Sequence, residues 1–349
     1  MIDHLQQSPF LTADAVTAWD TWFRWREDGR LRDRSVDATW LRVAETLSAA
    51  EPAHALRWTG RFFDAQSRWQ LLLDERLLAH AGTARSVPLA DPVAIVNPAM
   101  FVASPFSADA RFDFDAFRSV AALAVRALDN VRLRDESPPR TLPDLLIGMI
   151  GLADTLVLLG KRYDRASGRV MAGEIARALA EGCLIGSLRL ARERGAFPGA
   201  DPAQLQRVHR FPVPSELLAE AGRCGIRHGR LTSISSQPRL SMFANNVADA
   251  LDPVDAGTTT QATHGARRVP YVVAAARSAR TGGALPANAI PASVSLSARI
   301  QLRGAVQPWI DSPIDYPFRV GASVSAQSAD FLHRIAAAHR LGEMTLAND

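Results

Sequence analysis

The sequence predicts an α/β fold that begins with a helical region. Apolar residues recur at helical spacing across residues 13–69, which favours helices there. Residues 87–89 and 93–102 are β-branched runs bounded by prolines, a pattern typical of short strands. Long helical patterns follow at residues 113–130 and 168–194. Together these segments predict strands and helices within one chain.

The central elements have recognisable boundaries. An acidic first turn suits the dipole of the helix predicted at residues 113–130, and Pro138-Pro139 breaks the chain after it. Two apolar helices are predicted at residues 142–160 and 168–194. Gly195 is placed to end the second of these helices as a C-cap.

The last third of the chain has weaker periodicity. A strand tract is predicted from Ile226, and residues 255–294 are rich in Gly, Thr, Ala and Pro, which is typical of loops. Residues 269–277 could form a strand or a short helix. Further helices are predicted at residues 215–222, 295–306 and 325–340.

Composition limits the class of protein. The 349 residues are 47% apolar and 22% charged, as in globular proteins. No run approaches the roughly 18 apolar residues of a membrane span, and Met1–Gln7 lacks the features of a secretory signal. The two cysteines do not form a disulfide framework and suit a reducing compartment, so a cytoplasmic location is expected.

The charge pattern does not favour nucleic-acid binding. Net charge is only +4, and acidic residues accompany the arginines throughout. Trp19, Trp22 and Trp25 could stack on bases, but their spacing is more typical of a helix face packed on the domain. No nucleic-acid partner and no membrane association are therefore expected.

Residues 225–254 carry the most informative pattern. Ser241-Met-Phe-Ala-Asn-Asn-Val247 and Leu251-Asp-Pro-Val254 are similar to segments reading Leu-Leu-Ala-Gly/Asn-Asn-Val and Gly-Ile-Glu-Pro-Val in the large subunit of ribonucleotide reductases. The resemblance is greatest to the adenosylcobalamin-dependent class. Other segments resemble this family in the same order along the chain, at residues 18–26, 34–44, 76–83, 112–117, 124–130, 147–154, 190–198, 307–312 and 315–318.

The resemblance implies a fold and a division of the chain. The expected fold is a contracted version of the family's α/β barrel with an N-terminal helical region. Residues 1–70 would form the helical region and residues 71–349 the barrel remnant, with a loop-rich insert at residues 255–294.

The turn that grips phosphate in the family is altered. The family reads Ala-Pro-Thr-Gly-Thr-Ile-Ser, whereas this chain reads Ser235-Ser-Gln-Pro-Arg-Leu-Ser241. Pro238 occupies the position of the family's glycine, so the turn loses an N–H donor and the freedom to take a positive φ. Arg239 could bind phosphate through its side chain instead.

The resemblance also implies candidate ligand contacts. Asn97 keeps an asparagine of the family, and Asp252 stands where the family has glutamate. The pair Asn245 and Asn246 could bind a ligand or cap the following segment. The candidate ligand-binding residues are Asn97, Ser236, Arg239, Ser241, Asn245, Asn246 and Asp252.

The cysteines that carry the family's chemistry are missing. The family uses one radical cysteine, in Asn-Pro-Cys-Gly-Glu, and two redox cysteines, whereas this chain has only Cys183 and Cys224, outside those motifs. Asp91-Pro92 lies where the early redox cysteine is expected. We therefore predict no catalytic residues. The absence of His-Glu-x-x-His and Cys-x-x-Cys patterns also predicts no metal site.

The expected function follows from a retained scaffold and lost chemistry. We expect a non-catalytic pseudoenzyme that binds an active reductase, a second copy of itself or a nucleotide. One alternative is an enzyme of changed chemistry that reuses the barrel pocket. Another is deoxyribonucleotide synthesis with a second chain that supplies the radical cysteine. No cofactor is expected, and adenosylcobalamin is implied by the resemblance alone.

Overall fold

Helices make up most of the described chain. The computed structural model describes residues 9–85, 91–133, 144–197, 215–254, 271–280, 294–320, 326–342 and 345–348. The helices are α1 (Ala13–Ala18), α2 (Val36–Ser48), α3 (Ala55–Ser67), α4 (Glu75–His80), α5 (Phe114–Arg132), α6 (Leu152–Leu158), α7 (Ala166–Arg194), α8 (Ser215–Cys224), α9 (Pro238–Phe243), α10 (Val272–Arg280), α11 (Leu296–Val306) and α12 (Ala326–Ala338). A π-helical turn, Trp19–Phe23, continues α1, and short 3₁₀ helices span Pro52–His54, Pro98–Phe101 and Gln307–Trp309.

The strands are short and form one central sheet with three two-stranded ribbons. They are β1 (Arg26–Glu27), β2 (Arg30–Leu31), β3 (Leu71–Leu73), β4 (Val93–Val96), β5 (Val102–Ala103), β6 (Arg111–Phe112), β7 (Leu146–Met149), β8 (Phe318–Val320) and β9 (Leu346–Asn348). The central sheet has the order β3-β4-β7. In it, β3 is antiparallel to β4, and β4 is parallel to β7.

An extended segment continues the central sheet beyond β7. The N–H of Leu145 donates to Arg230 O at 2.8 Å, and the N–H of Ser233 donates to Ile147 O at 3.0 Å. Asp311 then accepts hydrogen bonds from the N–H groups of Leu231 and Thr232. The α/β class is confirmed, but the strands within the described ranges do not close a barrel.

The longest helix, α7, packs closely along α5. Gly182 and Gly186 make this possible, because a Cβ on Gly182 would lie 2.6 Å from Arg118 O, and one on Gly186 would lie 2.8 Å from Ala122 O. Helix α5 also contacts β4. This helix pair therefore forms one wall of the molecule, behind the sheet.

One hydrophobic core joins the N-terminal helices to the sheet. It runs from Ala18 to Ile314 and includes residues of α1, α2, α3, all three central strands, α5 and α7. Phe243 of α9 touches Phe23 and Trp69, with ring centroids 5.0 and 4.9 Å apart. The domain boundaries expected at residues 70 and 71 remain a prediction.

Several predicted elements are confirmed. Asp113 caps α5, Ser295 caps α11, and Gly195 ends α7 with a positive φ of 86°. Trp19 is buried on a helical face, as its spacing suggests. The predicted strand at residues 87–89, the Pro138-Pro139 break and most of the 255–294 segment lie outside the described residues.

Three predictions about secondary structure were wrong in part. The helix expected at residues 142–160 begins as strand β7, because its apolar run is buried beside β4. The strand expected at residues 93–102 stops at Val96, since Asn97 caps a 3₁₀ helix that starts at Pro98. The tract from Ile226 is extended but pairs as a bridge only at Thr232. Within the described residues, no helix is long and apolar enough to cross a membrane.

Candidate functional site

The carboxyl ends of β4 and β7 meet beside Asn97. Active sites of α/β proteins commonly lie at this end of parallel strands. Gly151 has a φ of 77°, and a Cβ there would lie 2.7 Å from Asn97 Oδ1, so glycine allows the two chains to approach. The Asn97 side chain is fully buried, and its Nδ2 has no hydrogen-bond partner within the described ranges. This amide is a buried donor without a partner among the described residues.

The altered phosphate turn already holds a carboxylate. The Ser236 hydroxyl donates to Asp249 Oδ2, and the Gln237 N–H donates to Asp249 Oδ1 at 2.6 Å. Two donors of the turn therefore bind an anion from the same chain. Gln237 is followed by Pro238, the first residue of α9, which offers no N–H.

The two other candidates near the turn have partners as well. Arg239 lies at the surface, where it pairs with Glu75 at 3.2 Å and stacks over the Trp22 ring at 5.3 Å. Burial raises the pKa of the Glu75 carboxyl despite this arginine. Ser241 is buried, and its hydroxyl donates to Val247 O.

Asn245 of the asparagine pair holds the N-terminal segment in place. Asn245 Oδ1 accepts the Leu11 N–H at 2.7 Å, and Asn245 Nδ2 donates to Pro9 O at 3.1 Å. Asn245 and Asn246 both have a positive φ, 63° and 58°, which asparagine tolerates better than most residues. The Asn245 side chain therefore binds the segment of residues 9–11 and not the segment that follows it.

Asp252 belongs to a buried ion pair with Arg303. Its carboxylate accepts two hydrogen bonds from the Arg303 guanidinium and one from the Tyr163 hydroxyl at 3.2 Å. Arg303 also donates to Tyr316 O and lies 3.6 Å from the Tyr316 ring and 3.5 Å from the Phe318 ring. The structure thus spreads the seven candidates over several places, and their role in ligand binding remains a prediction.

Comparison with known proteins decides the family. The family model described as "Ribonucleotide reductase, barrel domain" matches residues 92–275, just over half of the chain. The chain belongs to this ribonucleotide reductase family. Two proteins of Mycobacterium tuberculosis, from strains CDC 1551/Oshkosh and ATCC 25618/H37Rv, are named vitamin B12-dependent ribonucleoside-diphosphate reductase. Each of these two proteins is 28% identical to the present chain over 229 residues.

The similarity covers only part of those reductases. The aligned region is 63% of this chain but 30% and 29% of the two Mycobacterium tuberculosis proteins. The chain is therefore a relative of the ribonucleotide reductase large subunit of the B12-dependent type, and it spans less than a third of the length of these relatives.

Neither cysteine of this ribonucleotide reductase relative lies at the strand ends. Cys183 is fully buried in α7, and burial raises the pKa of its thiol well above the usual range. Such a thiol forms little of the thiolate that redox chemistry uses. Cys224 ends α8 and is a free, half-buried thiol. No group of three or more His, Cys, Asp or Glu side chains in the described ranges could hold a metal ion.

A buried Ser-His-Asp chain was missed from the sequence. Ser187 Oγ lies 2.9 Å from His228 Nδ1, and His228 Nε2 lies 3.0 Å from Asp129 Oδ1. The distances resemble those of a hydrolase triad. However, Ser187 is 3% exposed in the middle of α7, and Asp129 also binds Arg194 and Arg227. These hydrogen bonds therefore tie α5 and α7 to the segment after α8. Ser187, His228 and Asp129 are too far apart in sequence to form a recognisable motif.

Burial and hydrogen bonding together set the protonation states of His228 and Asp129. Burial lowers the pKa of His228 more than the hydrogen bond from its ring to Asp129 raises it. Burial also acts to raise the pKa of Asp129, but its contacts with His228 and Arg227 outweigh burial and hold that pKa well below the usual range. The folded protein thus favours a neutral His228 beside an ionised Asp129.

Stability should fall in mild acid because of His228. The unfolded chain takes up a proton on this histidine near pH ~6.5, whereas the folded protein resists it, so the free energy of unfolding should fall from pH about 7.5 to about 5.5. Urea unfolding at both pH values measures the change. His228→Gln should flatten it. His80→Gln should preserve most of it, although burial also lowers the pKa of half-buried His80. An unchanged slope in His228→Gln would contradict this assignment.

Proposed function

We propose that this chain is a non-catalytic member of the ribonucleotide reductase family that acts by binding, with an active reductase chain as its partner. The observation that carries the proposal is that the Asp249 carboxylate occupies the turn of residues 235–241. Asp249 accepts hydrogen bonds from Ser236 and Gln237, in the turn that aligns with the family's phosphate-gripping turn. A nucleotide entering there would have to displace a carboxylate from the same chain and meet its negative charge.

The cysteines give independent support. Reduction of a ribonucleotide in this family needs a radical cysteine and a redox pair, and thiol chemistry needs two sulfurs within bonding reach. The only two cysteines, Cys183 and Cys224, lie in helices α7 and α8, away from the strand ends. Synthesis of deoxyribonucleotides by this chain would need a second chain that supplies the cysteines.

The B12 cofactor of the relatives does not fit the described residues. Asn97, Ser241, Val247 and Ala248, which lie around the carboxyl ends of the strands, are all at most 2% exposed. No cysteine stands among them to take up a radical. We therefore propose that the chain works without this cofactor, in a cytoplasmic location.

A reductase partner is favoured because this chain shares a scaffold with reductases. The helical scaffold that matches the family, including α5 and α7, is intact in the described residues.

A second candidate function rests on Asn97. Its buried Nδ2 donor has no partner within the described ranges, and an unsatisfied buried donor costs about 1–3 kcal/mol unless something binds it. An enzyme of changed chemistry, or a protein that binds a nucleotide or other small molecule at the strand ends, would use this amide.

Native mass spectrometry of the tagged protein purified from its own host separates the candidates. We expect a complex whose second component is a reductase chain, absent from a purification with the tag alone. A chain of monomeric or dimeric mass that retains a small molecule would overturn the reductase partner in favour of the Asn97 site. A bare chain with neither would overturn both.

A further inference from the structure

A crevice of about 540 Å³ opens between α3, α5 and α7, on the helical side of the molecule. Its floor is apolar and includes Ala122, Leu123 and Gly186. Trp58 of α3 forms one wall and is 8% exposed. The volume is in the usual range of small-molecule sites, roughly 300–1,000 Å³. None of the predicted site residues lines this crevice.

Four arginines surround the crevice, three of them without an acidic partner. Arg126 pairs with Glu51 at 2.7 Å and with Glu193 at 2.5 Å. By contrast, Arg57, Arg61 and Arg189 make no ion pair with any residue that the structure describes. Glu51 and Glu193 line the crevice too, which leaves an excess of two positive charges over the lining carboxylates.

The arginines converge on the tryptophan. The guanidinium carbons of Arg126, Arg61 and Arg57 lie 4.0, 5.0 and 5.4 Å from the centre of the Trp58 ring. The ring therefore has three cations near it, two from α3 and one from α5. This arrangement presents planar N–H donors from several directions to a common space.

The like charges repel one another. Burial lowers the pKa of Arg61, and the nearby charges of Arg57, Arg126 and Arg189 lower it further. A surface arginine cluster with enough carboxylates would not show this repulsion. An anion bound in the crevice would relieve it.

We propose that this crevice binds a small molecule that carries two or more phosphate groups. Arg57, Arg61 and Arg189 would pair with the phosphates, while the Trp58 wall and the apolar floor would contact the rest of the ligand. Several guanidinium groups without an acidic partner among the described residues, gathered around one crevice, match a compact, multiply charged anion better than a single carboxylate. The site is separate from the strand ends, so the proposal stands whether or not the chain is catalytic.

Isothermal titration with inorganic tripolyphosphate tests this site. The wild-type chain should bind one equivalent saturably, and the affinity should fall as salt is raised. The double variant Arg61→Gln/Arg189→Gln should weaken binding at least about tenfold, or about 1.4 kcal/mol. The control Arg30→Gln/Arg34→Gln removes the same charge from two exposed arginines outside the crevice and should change affinity less than about twofold.

Tryptophan fluorescence and the variant affinities decide whether the anion binds in the crevice. A tripolyphosphate-dependent change in tryptophan fluorescence that is lost in Trp58→Phe would place the anion beside Trp58. The proposal is overturned if the wild-type chain gives no saturable binding, or if the control variant loses as much affinity as the crevice variant. Far-UV circular dichroism of each variant verifies that the helices remain folded.

Discussion

Replacing Arg303 by methionine is expected to lower the free energy of unfolding by about 3–5 kcal/mol. The Arg303 side chain is 1% exposed, and it is the cation that balances the Asp252 carboxylate, itself 12% exposed. Its removal leaves that carboxylate buried without the guanidinium that it binds. Tyr316 O loses a donor, and the rings of Tyr316 and Phe318 lose a stacked guanidinium. Urea unfolding, analysed by linear extrapolation, measures the loss.

A double variant separates the charge from the packing. In Arg303→Met/Asp252→Asn no charge is left buried, so part of the lost stability should return, as found when both members of a buried pair are neutralised. Tyr163 keeps an amide oxygen to which its hydroxyl can donate. A single variant that loses less than about 1 kcal/mol, the range of exposed pairs, would show that Asp252 and Arg303 are not the coupled buried pair described here.

Replacing Phe243 by alanine is expected to cost about 3–5 kcal/mol. Phe243 is 1% exposed at the end of α9, and its ring contacts Phe10, Phe23 and Trp69. The cavity would open where the N-terminal helices meet the segment that follows the altered turn. Both parts of the core should therefore lose support, and the urea midpoint should move to a lower concentration.

Phe331 provides the matched control for this prediction. It is 55% exposed on α12, so Phe331→Ala removes the same atoms with little loss of burial and should change stability by less than about 0.5 kcal/mol. Equal losses in the two variants would contradict the central position that we assign to Phe243.

Helices were predicted better than strands, for a physical reason. Polar caps mark where α5 and α11 begin, and Gly195 marks the end of α7, so local sequence contains these boundaries. The apolar run that includes β7 has no such mark. A buried strand and a buried helix both read as continuous apolar sequence, and the parallel pairing with β4, about 50 residues earlier in the chain, decided between them.

The sequence predicted which residues stand in the candidate site, but not which side chains contact one another there. The sequence shows that Pro238 damages the phosphate turn, but not that Asp249 reaches back to fill it. It shows an aspartate at position 252, but not that Arg303 arrives from a helix 51 residues later. Contacts of this kind depend on the fold, as does the chain formed by Ser187, His228 and Asp129.

The central claim is that this member of the ribonucleotide reductase family does not reduce ribonucleotides. A single-turnover assay tests it most directly. The purified chain, at a concentration above that of the substrate, is incubated with a ribonucleoside diphosphate, adenosylcobalamin and a dithiol reductant, and deoxyribonucleotide is separated chromatographically. A B12-dependent reductase assayed in parallel serves as the positive control. We predict no deoxyribonucleotide above the level of a heat-denatured sample. Formation of product in proportion to the amount of chain would contradict the account, because it would require radical chemistry from a chain whose only cysteines are Cys183 and Cys224.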